Sequence, residues 1–129
     1  ELFGADESEI KFAPMSDKMT EAISTALSQL QDARERFNRK QLPFDVSLLV
    51  KHAIANEESV EYVWTFVNDW SSPEFLLGTC ANDANIDPNV RMGRPIRVAT
   101  EDVVDWALYR DGEIVEGGWT QEVVLSEVG

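Results

Sequence analysis

The first third of the chain places apolar residues three and four positions apart, which is the period of an α-helix. Ser16 precedes this repeat and can cap a helix N-terminus, and Pro43 follows it and forbids continuation. The pattern predicts one long helix over residues 16–40, behind an extended lead-in over residues 1–15. Its apolar positions are Met19, Ile23, Ala26, Leu27, Leu30, Ala33 and Phe37.

From Phe44 onward the period changes to two, which is typical of β-strands. One strand is predicted from Phe44 to His52 and a second around Tyr62, and the short polar stretch between them favours a hairpin. The pair Asp111-Gly112 predicts another hairpin. The later predicted strands are residues 75–80, 96–99, 106–109, 114–115 and 119–125, with a capped helical turn at residues 100–102.

These elements predict a single α+β domain over residues 1–129. The long N-terminal helix is expected to pack its apolar stripe on a mainly antiparallel, bent sheet of about six short strands, formed within residues 44–125. A chain of 129 residues that is 43% hydrophobic has enough core to fold without a disulfide or a metal ion. Its hydrophobic content also excludes a disordered acidic chain.

The charge is strongly negative, since 24 acidic residues face 11 basic ones and the net charge is −13. Such a chain is repelled by phosphates, so we expect neither nucleic acid nor a membrane surface as partner. The charge is also uneven. Residues 101–129 sum to −7, whereas residues 71–100 sum to zero because three arginines lie there. These are Arg91, Arg94 and Arg97.

Cys80 is the only cysteine, so no disulfide can form within the chain. This favours a reducing compartment such as the cytoplasm. The residues given contain no signal-peptide pattern, but they begin at Glu1 rather than Met. A natural N-terminus that lies further upstream leaves a periplasmic location open.

No cofactor or metal site is predicted. The chain has one histidine, no CxxC, and neither a GxGxxG nor a Walker motif. The segment from Asp83 to Asp87 begins like a calcium loop. Pro88 stands where that loop needs Gly, however, and Arg94 stands where it needs a bidentate Glu. We interpret the segment as a loop built from Asx turns.

Two other groups of residues carry candidate chemistry. Arg91, Arg94 and Arg97 could hold a carboxylate or phosphate through their guanidinium groups, or pair with the acidic C-terminal segment, and we favour the pairing. His52 and Cys80 could form a base and a nucleophile if the fold joined them. We favour structural roles for both.

The chain contains four tryptophans, a high number for its length. Most are expected in the core, where each indole N–H needs a partner. A partly exposed tryptophan beside a carboxylate such as Asp105 would instead mark a binding surface.

Several short motifs between Phe44 and Val124 occur in an order that resembles the YegJ-like bacterial domain of unknown function (domain of unknown function 2314). The helix before them is also similar to the usual start of that family. The motifs are Leu49-Val50-Lys51, Glu61-Tyr62-Val63-Trp64, Phe75-Leu76-Leu77-Gly78, Asn82-Asp83, Gly93, Val104-Asp105-Trp106 and Gly117-Gly118-Trp119-Thr120.

The resemblance implies a bacterial origin and a helix packed on an antiparallel sheet, and it assigns no known activity. Some relatives look exported, so it fixes no compartment. This chain departs from the family at Ala84, where Pro is usual, and at Arg94, where an acidic residue is usual. Any role of that loop in the family is therefore not carried over.

The motif residues also have physical interpretations. Lys51 and Glu61 lie on neighbouring predicted strands and would form a cross-strand ion pair if the register opposed them. Asp105 could cap a turn while Trp106 fills the core. We therefore take six motif residues as candidate site residues, beside the three arginines. They are Lys51, Glu61, Trp64, Asp105, Trp106 and Thr120.

The sequence favours a non-catalytic binding or regulatory module that engages a protein partner through an acidic, aromatic-rich surface. Charge complementarity favours a basic partner. The chain itself is expected to be a monomer or a weak dimer. Two alternatives stay open: a small-anion binding domain near Arg91–Arg97, and a small hydrolase that uses His52, Cys80 or Asp105.

Overall fold

A computed structural model describes residues 16–128, with side chains to residue 125. The predicted lead-in over residues 1–15 lies outside the described residues. The elements are α1 (Asp17–Ser28), α2 (Leu30–Asn38), β1 (Ser47–Ala55), β2 (Val60–Asp69), β3 (Phe75–Cys80), β4 (Pro95–Ala99), a 3₁₀ helix (Thr100–Asp102), β5 (Val103–Arg110), β6 (Glu113–Gly117) and α3 (Trp119–Val128). The predicted α+β class is confirmed.

The N-terminal helix begins as predicted but is not continuous. The Ser16 hydroxyl accepts a hydrogen bond from the N–H of Met19 at 3.1 Å and so caps α1. The helix is interrupted at Gln29, which separates α1 from α2. Just before it, the Ser28 hydroxyl donates to the Thr25 carbonyl at 2.7 Å, a side-chain bond that bends helices.

The sheet contains six strands among the described residues, in the order β4-β3-β2-β1-β5-β6, and every neighbouring pair is antiparallel. The first four strands form a meander. The chain then passes through the 3₁₀ helix at residues 100–102 and crosses over, so that β5 pairs with β1 instead of β4. This crossover places β4 and β6 at opposite edges of the sheet.

One face of the sheet packs against α1 and α2. Its strand residues include Leu48, Val50, Trp106 and Leu108, which form one core cluster with Ala26 of α1. The indole N–H of Trp106 donates to the carbonyl of Ala26 at 3.2 Å and so ties the helix to the sheet. Of the predicted helix stripe, Ala26 and Ala33 are buried, but Leu27 is 45% exposed.

The opposite face of the sheet also contains a buried cluster, which the alternating pattern does not predict. It includes Leu49, Trp64 and Ala107, and the partly buried Tyr109 packs against it. Because both faces are covered at β1, five consecutive residues from Leu48 to His52 are buried. Phe44, predicted to open this strand, lies before it and is fully exposed.

The last predicted strand is wrong, because Trp119–Val128 forms helix α3. The segment contains adjacent valines, which favour strands intrinsically. Two glycines with left-handed backbone conformations turn the chain out of the sheet before Trp119, which prevents a further strand. Gly117 has φ +80° and Gly118 has φ +73°. The N–H of Gly118 still bonds to the Trp106 carbonyl at 2.8 Å, which fixes the start of α3 beside β5.

Gly117 provides a test of this turn. A Cβ there would lie 2.5 Å from the Trp106 carbonyl oxygen, whereas Gly93, with φ +88°, has open space around its Cβ position. We expect Gly93→Ala to lower the free energy of unfolding by about 1 kcal/mol, from backbone strain alone. Gly117→Ala should cost about 2 kcal/mol more, because it adds a steric clash. Equal losses in urea unfolding would contradict this account.

Candidate functional site

Lys51 and Asp105 are Cα partners across β1 and β5. The predicted cross-strand pair of Lys51 with Glu61 is wrong, because Glu61 opposes Ile54 and Lys51 opposes Trp64 in the β1–β2 register. The ammonium of Lys51 donates a hydrogen bond to the Thr120 hydroxyl at 3.2 Å. It also lies 6.0 Å from the Trp64 ring centroid.

Asp105 connects this pair to the start of α3. One carboxylate oxygen, Oδ2, accepts from the Thr120 N–H at 2.9 Å and from the Thr120 hydroxyl at 2.6 Å. The other, Oδ1, accepts from the N–H of Trp106 at 2.8 Å. The Gly118 carbonyl accepts from Gln121, so Gly118 occupies the N-cap position. Gly118 has no side chain, and Asp105 supplies the capping oxygen from β5.

All four side chains of this cluster are buried: Lys51 is 5% exposed, Thr120 is 1% exposed, and Trp64 and Asp105 are fully buried. Burial raises the pKa of the Asp105 carboxyl, while the bonds from Thr120 and Trp106 and the charge of Lys51 act to lower it. The cluster therefore combines two buried opposite charges with the capping hydrogen bonds, and it orients α3 rather than presenting a reactive group to solvent.

Glu61 is also fully buried, but it serves a different segment. Its carboxylate accepts from the N–H of Asn85, at 2.8 Å and 3.0 Å to the two oxygens, and from the N–H of Ile86 at 3.0 Å. Asn82, three residues before Asn85, is also buried. Its side-chain oxygen accepts a hydrogen bond from the N–H of Trp64 at 2.8 Å. These two side chains anchor the loop over residues 81–94 to β2.

The same loop contains one predicted Asx turn, in which the Asp87 carboxylate accepts from the N–H of Asn89 at 2.9 Å. The Asp83 carboxylate instead accepts from the N–H of Met92 at 2.8 Å and so joins the two sides of the loop. Among residues 16–125, no group of three or more His, Cys, Asp or Glu side chains could hold a metal ion.

Arg91, Arg94 and Arg97 have separate surroundings. The guanidinium of Arg91 donates to the carbonyl of Ala84 at 2.8 Å and holds the loop. The guanidinium of Arg97 lies 3.9 Å from the Phe75 ring centroid. Within residues 16–125, none of the three forms an ion pair with the acidic C-terminal segment, so the favoured pairing is wrong. The crossover puts β6 and its glutamates at the opposite edge of the sheet from β4.

His52 and Cys80 are each 2% exposed. The Nε2 atom of His52 lies 2.7 Å from the Thr65 hydroxyl, and its Nδ1 atom lies 3.4 Å from the Ala53 carbonyl oxygen. Burial lowers the pKa of His52 to about 4 and raises the pKa of the Cys80 thiol. This geometry gives the thiol no activation by the imidazole, and it favours the structural reading of both residues.

Among the four tryptophans, Trp64, Trp70 and Trp106 are buried as predicted, and the indole N–H of Trp70 donates to the Thr100 hydroxyl at 3.3 Å. Trp119 is partly buried. Its ring packs edge-to-face on Trp106, with centroids 5.3 Å apart. It directly precedes Thr120, the hydrogen-bond partner of Asp105, and the binding surface expected beside that carboxylate stays a prediction.

Sequence reasoning missed Asn82, Thr65 and Gly118 as determinants of this region. Asn82 offered a weak signal, since it stands in the Asn82-Asp83 motif. Thr65 gave no signal in the sequence, because its contact with His52 depends on the register between β1 and β2. Gly118 stands in the Gly117-Gly118-Trp119-Thr120 motif, but the motif does not indicate that this glycine is the N-cap of a helix.

The family "Uncharacterized protein conserved in bacteria (DUF2314)" matches residues 16–129. The chain belongs to this family. The match spans the described fold, including the Lys51–Asp105–Thr120 cluster and the Glu61 anchor. It confirms the resemblance drawn from the motifs, and it establishes an uncharacterised bacterial domain with no activity assigned.

One relative is "Uncharacterized protein YegJ" of Escherichia coli (strain K12), which is 29% identical over 107 residues. The alignment covers 83% of this chain and 67% of the relative. No solved structure is significantly similar to the chain. Within residues 16–128, no helix has the length and hydrophobicity needed to cross a bilayer.

Removing the Asp105 carboxylate should strongly destabilise this DUF2314 domain. Asp105→Ala removes a negative charge that acts on the buried Lys51 ammonium and removes the cap of α3, so we expect a loss of about 3–5 kcal/mol in unfolding free energy. Asp102→Ala, at an exposed aspartate of the 3₁₀ helix, is the control and should cost less than about 0.5 kcal/mol. Similar losses in chemical denaturation would show that the cap and the charge of Asp105 contribute little.

The buried imidazole predicts a pH dependence. Because the folded pKa of His52 is about 4 and its ordinary value is 6.5, the unfolded chain binds the extra proton first as pH falls. The neutral imidazole of His52 therefore stabilises the fold fully above pH 6.5. Between pH 6.5 and 4 the free energy of unfolding falls by about 3 kcal/mol. His52→Gln should flatten the stability curve in that window relative to wild type. Parallel curves from urea titrations would refute the assignment.

Proposed function

We propose that this DUF2314 domain is a non-catalytic binding module that engages a basic protein partner through its acidic edge. The acidic edge is the surface formed by β6 and the first two turns of α3. The observation that carries the proposal is the separation of charge in the sheet. The acidic edge and the arginine-bearing strand β4 lie at opposite ends of the strand order.

Because of this separation, the arginine on β4 does not neutralise the glutamates of the acidic edge. Five strand spacings of about 4.8 Å put β4 and β6 about 24 Å apart, which is well beyond the screening length of exposed charges at physiological salt. Glu113 and Glu122 are exposed on the acidic edge. The basic residues Arg94 and Arg97 are exposed at the far side.

The acidic edge also carries exposed apolar surface, as protein interfaces do. Val115 is 50% exposed and Leu125 is 62% exposed, and both line a groove with the partly buried Trp119. Aromatic and aliphatic side chains surrounded by charge are typical of binding surfaces. The glutamates of the acidic edge attract a basic partner, which increases the association rate and selects against acidic proteins.

One acidic side chain of this surface already has an internal partner. Glu116 receives two hydrogen bonds from the guanidinium of Arg36, at 2.8 Å and 3.2 Å. The same carboxylate raises the pKa of Arg36. This pair fastens β6 to α2, so charge tests of binding should avoid Glu116 and use Glu113 and Glu122.

The test begins with affinity capture of partners from the source bacterium by the immobilised domain. A captured protein is then purified and titrated by calorimetry at about 50 mM and about 300 mM salt, where surface attraction is strongly and weakly felt. We expect the double variant Glu113→Lys/Glu122→Lys to weaken binding at least tenfold, and higher salt to weaken wild-type binding.

The matched control is Glu57→Lys/Glu58→Lys, which makes the same charge change at two exposed residues of the β1–β2 turn. It should change the affinity less than threefold. If both double variants weaken binding equally, the partner senses net charge and not the acidic edge. If the edge variant binds like wild type, the proposed function is wrong.

A further inference from the structure

Strand β6 is the last strand of the sheet on its side, and within residues 16–128 no other strand pairs with its outer edge. An edge strand presents backbone N–H and C=O groups that an incoming extended chain can bond. Many peptide-binding domains use this geometry, in which main-chain bonds supply affinity and side-chain pockets supply specificity. β6 therefore has the backbone arrangement that strand addition requires.

A groove lies beside this edge, between β6 and the start of α3. Its volume is about 480 Å³. Ile114, Val115, Trp119 and Leu125 contribute apolar lining, and glutamates stand among them. Gly117 and Gly118, which form the turn between strand and helix, also line the groove.

The charge of the edge indicates what occupies the groove. Glu113, Glu116 and Glu122 belong to β6 and α3, and a second copy of this chain would bring a net charge of −13 against them. Repulsion of this kind disfavours edge-to-edge pairing between copies. A basic extended segment fits instead, because successive side chains of a strand point to opposite sides. One set can enter the apolar groove while the other faces the glutamates.

We propose that β6 accepts an extended segment of alternating basic and aliphatic residues as an added strand, with an aliphatic side chain seated between Val115 and Trp119. This inference rests on the proposed function and specifies the chemistry of the partner. It requires backbone pairing along Glu113–Gly117 together with apolar contact in the groove, not charge attraction alone.

The experiment uses a synthetic nine-residue peptide of alternating Lys and Val, titrated into the isotope-labelled domain. Its matched control has the same side chains but N-methyl groups on alternate backbone amides, which removes strand hydrogen bonds. We expect the unmodified peptide to shift the amide resonances of β6 and to slow their hydrogen exchange at least tenfold. The N-methylated peptide should bind at least tenfold more weakly.

A pair of protein variants separates groove contact from electrostatics. Val115→Glu adds negative charge to the edge but removes the apolar wall, so it should weaken peptide binding at least fivefold. Met92→Glu adds the same charge at another exposed apolar residue, in the loop over residues 81–94, and should not weaken binding. Stronger binding by Val115→Glu would show that charge alone governs the interaction and would overturn strand addition.

Other outcomes also decide the matter. No binding at millimolar peptide, equal binding of both peptides, or exchange protection outside β6 would each overturn the inference. The proposed function fails separately, through an unchanged affinity of Glu113→Lys/Glu122→Lys for its captured partner. A partner that needs those glutamates but leaves β6 exchange unaltered would support the binding module and reject strand addition.

Discussion

The arrangement of the last third of the chain depends on the carboxylate of Asp105. Helix α3 starts at a glycine whose left-handed backbone lets the chain leave the sheet, and that glycine brings no capping side chain. The oxygen that binds the Thr120 N–H therefore comes from β5. Because Lys51 of β1 contributes its charge and its bond to Thr120, three segments distant in sequence meet at one buried point. The position of α3, and with it the groove beside β6, follows from this contact.

Glu61 likewise fixes a segment through hydrogen bonds to a buried carboxylate. Both carboxylates are fully buried in a chain with an excess of negative charge, which costs free energy unless their oxygens are hydrogen-bonded. Each accepts backbone N–H groups from a segment outside the sheet: the start of α3 for Asp105, and the loop at Asn85 for Glu61. Directional bonds thus fix the irregular parts of the fold, while apolar burial fixes the sheet and the first helices.

The predictable parts of the fold are those encoded by local patterns. Strand Phe75–Cys80, the helical turn at Thr100–Asp102 and the hairpin at Asp111-Gly112 were predicted from sequence and are confirmed. Helix α3 was not predicted, because its adjacent valines favour a strand and because the side chain that caps it belongs to β5. The partner of Lys51 could not be predicted either, since it depends on the crossover that brings β5 beside β1. Candidate residues were found by motif, but their contacts required tertiary structure.

The negative charge has a physical role at the sheet edge that the composition alone does not reveal. An open edge strand invites pairing with other copies of the same chain, and charged side chains on the edge are a common protection. Here the glutamates of β6 repel a chain whose net charge is −13, and Arg36 neutralises only one of them. In the proposed binding mode, the same glutamates would attract a strand of opposite charge. Under this proposal, protection against self-association and selection of a basic partner are two consequences of one charge distribution, and the arginine of β4 cannot cancel that charge because five strand spacings intervene.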